Sequence, residues 1–151
     1  MRVCGKTWSE YVAFLKGPFI LLTVVFVLRW VLSECGIHGP LTKYLSVSAV
    51  SIPIVIYLAL KTHTRRFGGY AHLGTLVLLV GLWANILISV GILAAWVTGR
   101  DNVYSQLEHL GQASGYAAHI LTHLTVFTSL FTLEYFFIDA LILYLLRRLD
   151  T

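Results

Sequence analysis

The chain has 151 residues, 58% of them hydrophobic and 12% charged, with a mean hydropathy of +0.80. A water-soluble fold of this length has too little interior to hide that much apolar surface, so the composition points to the bilayer as solvent. The net charge of +4 is spread over segment ends rather than gathered with aromatic platforms, which argues against nucleic acid as a partner.

Four apolar segments, roughly 17–33, 44–60, 73–97 and 124–146, fill most of the chain. Each is close to the ~20 residues that a helix needs to cross ~30 Å of hydrocarbon. The predicted fold class is all-α: a polytopic integral membrane protein, one domain over 1–151, with four transmembrane helices at about 12–33, 43–61, 71–98 and 116–147 packed as an antiparallel bundle. Little chain is left for a soluble catalytic domain.

The first span is preceded by Thr7-Trp8-Ser9-Glu10, a capping-box pattern that starts the helix before the hydrocarbon, with Trp8 and Tyr11 suited to the interface. Pro18 permits a kink where the helix enters the membrane. Leu32-Ser33-Glu34-Cys35-Gly36 loosely resembles a lipoprotein cleavage box, but Glu34 is the wrong residue before the cysteine and Arg29 interrupts the apolar run, so cleavage is not expected. Cys4 and Cys35 then fall on opposite faces of the membrane and read as two unpaired thiols. A short turn with Gly36, Gly39 and Pro40 leads to the second span, where Ser46, Ser48 and Ser51 precede Pro53.

Residues 62–70 form a basic loop, and the third span follows. Its Gly74, Gly81, Asn85 and Ser89 lie close to one stripe of a helix, a pattern that lets a second helix approach and lets Asn85 hydrogen-bond to it; helix packing is favoured here over a ligand site. The next connection carries Ser105-Gln106-Leu107-Glu108, again of capping-box form, and predicts a short interfacial helix ending near Gly111.

The fourth span is polar for a lipid-facing helix: it holds His119, Thr122, His123, Thr125, Thr128, Ser129, Thr132, Glu134 and Asp139. On a regular helix Glu134 falls about 20° from His123, and Thr125, Thr132 and Asp139 share a second stripe. Glu134 is placed near the midplane, where a carboxylate is costly unless paired or functional. The expected partners are Arg29 for Glu134 and Lys16 for Asp139, with a functional role for the two acids as the alternative. His119 and His123, at i and i+4, are expected to hydrogen-bond locally; metal or haem ligation is the alternative, with His38, His109, Glu108 or Cys35 as further ligands.

Orientation follows from the basic residues. Arg2, Lys6, Lys16, Lys61, Arg65, Arg66, Arg147 and Arg148 fall on one side, and Arg29, Lys43 and Arg100 on the other, which places both termini in the cytoplasm of a multi-pass cell-membrane protein. No nucleophile elbow, phosphate loop or CxxC pair is present, so the leading expectation is a non-catalytic structural or accessory subunit whose partners are the lipid bilayer and other membrane subunits or further copies of itself. No cofactor is predicted; the two alternatives are a channel or proton-coupled carrier using Glu134 and Asp139, and a haem- or quinone-associated redox module using His119 and His123.

Overall fold

A computed structural model describes residues 2–37, 44–105 and 115–150. A two-residue hairpin comes first: β1 (Arg2–Val3) pairs antiparallel with β2 (Lys6–Thr7), and Cys4 and Gly5 turn between them at φ 52° and 90°. Among the described residues four long helical stretches follow: α1 (Trp8–Glu34), α2 (Val47–Thr64), α3 (Tyr70–Thr98), and a fourth made of α4 (Tyr116–Thr122), a π-turn at His123–Phe127 and α5 (Thr128–Leu149). All four are long and apolar enough to cross a membrane. The expected interfacial helix after Ser105, together with His38, Lys43, Glu108 and His109, lies outside the described residues.

Helix starts have local causes. The Glu10 carboxylate accepts from the Thr7 backbone N–H at 2.7 Å, satisfying a donor that a helix end leaves open. The Ser46 hydroxyl accepts from Ala49 N–H at 3.0 Å, so α2 begins at Val47, later than the apolar run suggests, and it continues to Thr64. At the far end of α3, Gly99 takes the left-handed conformation, φ 67°, that terminates helices.

The helices α2 and α3 form the centre, with α1 on one flank and the fourth helix on the other; α1 and α5 pack principally on this central pair rather than on each other. The core runs through Tyr11, Leu15 and Leu22 of α1, Leu58 of α2, Leu73, Leu76 and Val80 of α3, and Leu143 of α5.

Each end of the bundle is tied by polar contacts. At the basic end Lys61 donates to the Phe14 carbonyl at 2.8 Å, Arg147 donates to the Gly68 carbonyl at 2.9 Å, and His63 meets Asp150 at 3.1 Å. At the other end the residues after α3 fold back: Asn102 Nδ2 donates to the Gly91 carbonyl at 2.8 Å and the Tyr104 hydroxyl to the Phe26 carbonyl at 3.0 Å. Burial pushes the Tyr104 phenol up to about 12, against the opposing pull of the Arg29 guanidinium 5.6 Å from the ring centroid.

Candidate functional site

A recess of about 380 Å³ opens between α2, α3 and the fourth helix, with Ser48, Ser51, Asn85, His123 and Glu134 among its lining residues and Phe127, Phe131 and Tyr135 supplying aromatic wall. It exists because α2 is short. Val47, the first residue of α2, lines the same recess as Asn85, whereas α3 continues from Asn85 to Thr98, about 20 Å further. Polar groups at the start of α2 therefore meet the middle of α3.

The centre of the recess is an interhelical hydrogen bond, 2.9 Å between Asn85 Oδ1 and His123 Nδ1. The Asn85 amide orientation is fixed by its other contact, because Nδ2 donates to the Gly81 carbonyl at 2.9 Å and a carbonyl only accepts. Oδ1 must then accept from His123, which puts the imidazole proton on Nδ1. The His119 ring lies 5.0 Å away, centroid to centroid, tilted by 39°, and His119 itself is buried. The sequence predicts local partners for these histidines; His123 also has one on another helix, Asn85.

The π-turn begins at His123. Its wider loop takes an i→i+5 hydrogen bond, and the Thr128 hydroxyl adds a second donor to the His123 carbonyl at 2.9 Å. Inserting about one residue into the helical count rotates everything beyond it by roughly 100° relative to a regular helix. Both His123 and Glu134 nevertheless line the recess, His123 half-buried against Asn85 and Glu134 exposed.

Heights along α3 locate the charged residues. Phe136 packs on Gly74 and Phe131 on Gly81, which sets Glu134 level with Val77. Tyr11 stacks on His72, and Phe19 packs on Trp83, which sets Lys16 level with Leu78 and Leu79. Arg29 stands over Tyr104, whose ring packs on Gly91. The Arg29–Glu134 pair is not formed: fourteen residues of α3 separate their heights, about 21 Å. Glu134 also sits toward the basic end, about 10 Å from the start of α3, rather than at mid-height.

The Lys16–Asp139 pair is not formed either. Lys16 is exposed, while Asp139 is fully buried with neither carboxyl oxygen hydrogen-bonded. Among the described residues the ion pairs are Lys6–Glu10 and His63–Asp150.

The small residues of α3 do different jobs. Gly74 and Gly81 receive the Phe136 and Phe131 rings, Asn85 holds His123, and Ser89 is buried with its hydroxyl unpartnered. Cys4 and Cys35 are free and exposed. Among the described residues no group of three His, Cys, Asp or Glu is arranged to hold a metal ion.

Asn85→Leu is expected to cost about 1 kcal/mol of fold stability, the scale of interhelical hydrogen bonds in apolar surroundings, and to move the His123 Nδ1 proton resonance. Unfolding in detergent and imidazole NMR read both; an unchanged Nδ1 signal would show that Asn85 does not set the tautomer. Compared with protein-family models, with curated proteins and with solved structures, the chain matches none of them.

Proposed function

We propose that this chain is a non-catalytic subunit of the cell membrane, four antiparallel helices inserted with both termini in the cytoplasm, whose task is assembly with other membrane protein. One observation carries the reading. Only 17% of the most apolar stretch of the fourth helix is buried, against 56% for α3, and that exposed helix bears Glu134, Ser129 and Thr125. An exposed carboxylate among residues long and apolar enough to span a bilayer is costly in lipid and calls for a partner.

The clustering of Lys61, Arg65, Arg66, Arg147 and Arg148 at one end of the bundle supports the orientation. In intact cells, a membrane-impermeant thiol reagent is expected to label Cys35 and to spare Cys4; the reverse pattern overturns the orientation. Purification of the full chain from its native membrane in mild detergent is expected to yield a complex larger than the monomer. A monomer at every detergent and lipid ratio overturns the assembly reading.

The recess favours a second reading, a proton-coupled carrier. Glu134 and His123 line one cavity within a helical bundle, and intramembrane ionisable groups commonly mark substrate or proton paths. Proteoliposomes that acidify or take up solute only when Glu134 is intact would favour it over assembly.

A further inference from the structure

The two flanks of the bundle complement one another. On the fourth helix, Leu130, Glu134, Ile138, Leu141 and Leu145 fall within about 40° of a single line, and all of them are exposed. On α1, Val12, Lys16, Ile20 and Val27 fall within a similar arc and are exposed too. Between Leu130 and Leu145, Glu134 is the one charged residue on its line; between Val12 and Val27, Lys16 is the one on the other.

The two charges stand at almost the same height. Measured on α3, Lys16 is level with Leu78 and Leu79 and Glu134 with Val77, a difference of about 3 Å. They lie on opposite flanks, since α1 and α5 both pack on the central α2–α3 pair. A single copy therefore does not bring them together, and two copies inserted the same way do.

We propose that copies of this chain associate head to tail, the α1 flank of one against the α5 flank of the next, with Lys16 of one copy paired to Glu134 of its neighbour. The inference rests on the assembly reading above and names its partner as a second copy. It also fixes a register. The two helices run in opposite directions across the contact, so a step of four residues along α1 toward the Tyr104 end matches a step of four back along the fourth helix. Ile20 then faces Leu130, and Val12 faces Ile138. Each copy offers one flank of each kind, the arrangement of a heterologous interface. Pairing removes the cost of two solitary charges facing lipid, and the contacts of Ile20 with Leu130 and of Val12 with Ile138 on either side supply packing.

The test uses the full chain in native membranes with Cys4 and Cys35 replaced by Ser. Ile20→Cys with Leu130→Cys is expected to yield a disulfide-linked ladder on mild oxidation, and so is Val12→Cys with Ile138→Cys. Val12→Cys with Leu130→Cys, out of step by eight residues or about 12 Å, is expected to give none, because a disulfide requires Cα atoms within roughly 7 Å. Equal crosslinking of all three pairs, or of none, overturns the register.

Charge exchange is the second arm. Lys16→Glu alone and Glu134→Lys alone are each expected to weaken self-association in lipid at least tenfold, and the two together to restore it. Single variants that associate as the parent does, or a double variant that does not recover, overturn the pairing. A photo-crosslinker at Leu130 separates the failure of this inference from failure of the assembly reading. An adduct of two copies supports the inference, an adduct only with a different chain overturns it and leaves assembly standing, and no adduct overturns both.

Discussion

Asp139→Leu is expected to make the protein more stable, by about 2–3 kcal/mol. Asp139 is fully buried and neither of its carboxyl oxygens has a hydrogen-bond partner, although burial of a carboxyl group is tolerated at low cost only when its oxygens are bonded. The basic residue expected to serve it, Lys16, points out of the bundle. Leu keeps the branching of Asp at Cγ, but its two methyls are bulkier and Cγ becomes tetrahedral, so overpacking at this fully buried site offsets part of the gain from the lost desolvation cost. Asp139→Asn keeps an unpartnered polar group of the same size and is expected to recover little of the gain. Thermal or denaturant unfolding in detergent micelles measures both. A Leu variant and an isosteric Asn variant both less stable than the parent would show that Asp139 is held by a partner, such as water or a second chain, whose loss outweighs the relief.

Such a residue marks the boundary of what the sequence discloses. Helix number and approximate extent were legible because apolar runs of about 20 residues have few alternatives, and the start of α1 was legible because the Thr7–Glu10 box is a local pattern. Polarity on the fourth helix was legible as well. Its partners were not. The match of His123 with Asn85 requires knowing that α3 and the fourth helix are neighbours at that height, and the two residues stand 38 apart in the chain.

The π-turn was invisible for a different reason. His123-Leu124-Thr125-Val126-Phe127 contains no glycine or proline, and a wider i→i+5 turn has no residue signature of its own. Counting 100° per residue across it therefore misses an offset of roughly one residue's rotation between His123 and Glu134, although both line the same recess. Height failed through the same kind of assumption. Depths counted from the ends of apolar runs treat the helices as equally long and parallel to one axis, whereas α2 has 18 residues and α3 has 29. The Asn102–Tyr104 fold-back could not be read either, because its acceptors are the backbone carbonyls of Gly91 and Phe26, which no side-chain pattern announces.

That fold-back is where a single added side chain is expected to do the most damage. A Cβ at Gly91 would stand 2.7 Å from Tyr104 Cδ2 and 2.9 Å from Tyr104 Cβ, too close to be relieved by turning the ring, because Tyr104 Cβ is attached to the backbone. The same glycine's carbonyl accepts the Asn102 amide, and Tyr104 reaches on to the Phe26 carbonyl of α1, so displacing Tyr104 loosens α1 from α3 as well. Overpacking of about 1–3 kcal/mol and two lost hydrogen bonds of about 1 kcal/mol each lead to an expected loss of roughly 3–5 kcal/mol for Gly91→Leu. Gly17→Ala is the internal control, since a Cβ there meets nothing within 4 Å and the helix gains about 0.5–1 kcal/mol of backbone preference. A second readout follows from the phenol. In the parent protein burial pushes the Tyr104 phenol up to about 12. In Gly91→Leu the displaced ring is expected to titrate near the ordinary tyrosine value, seen as one tyrosine leaving the late phase of the ultraviolet titration. A Gly91→Leu protein of parental stability with that late phase intact would mean that the segment after α3 does not rest on Gly91.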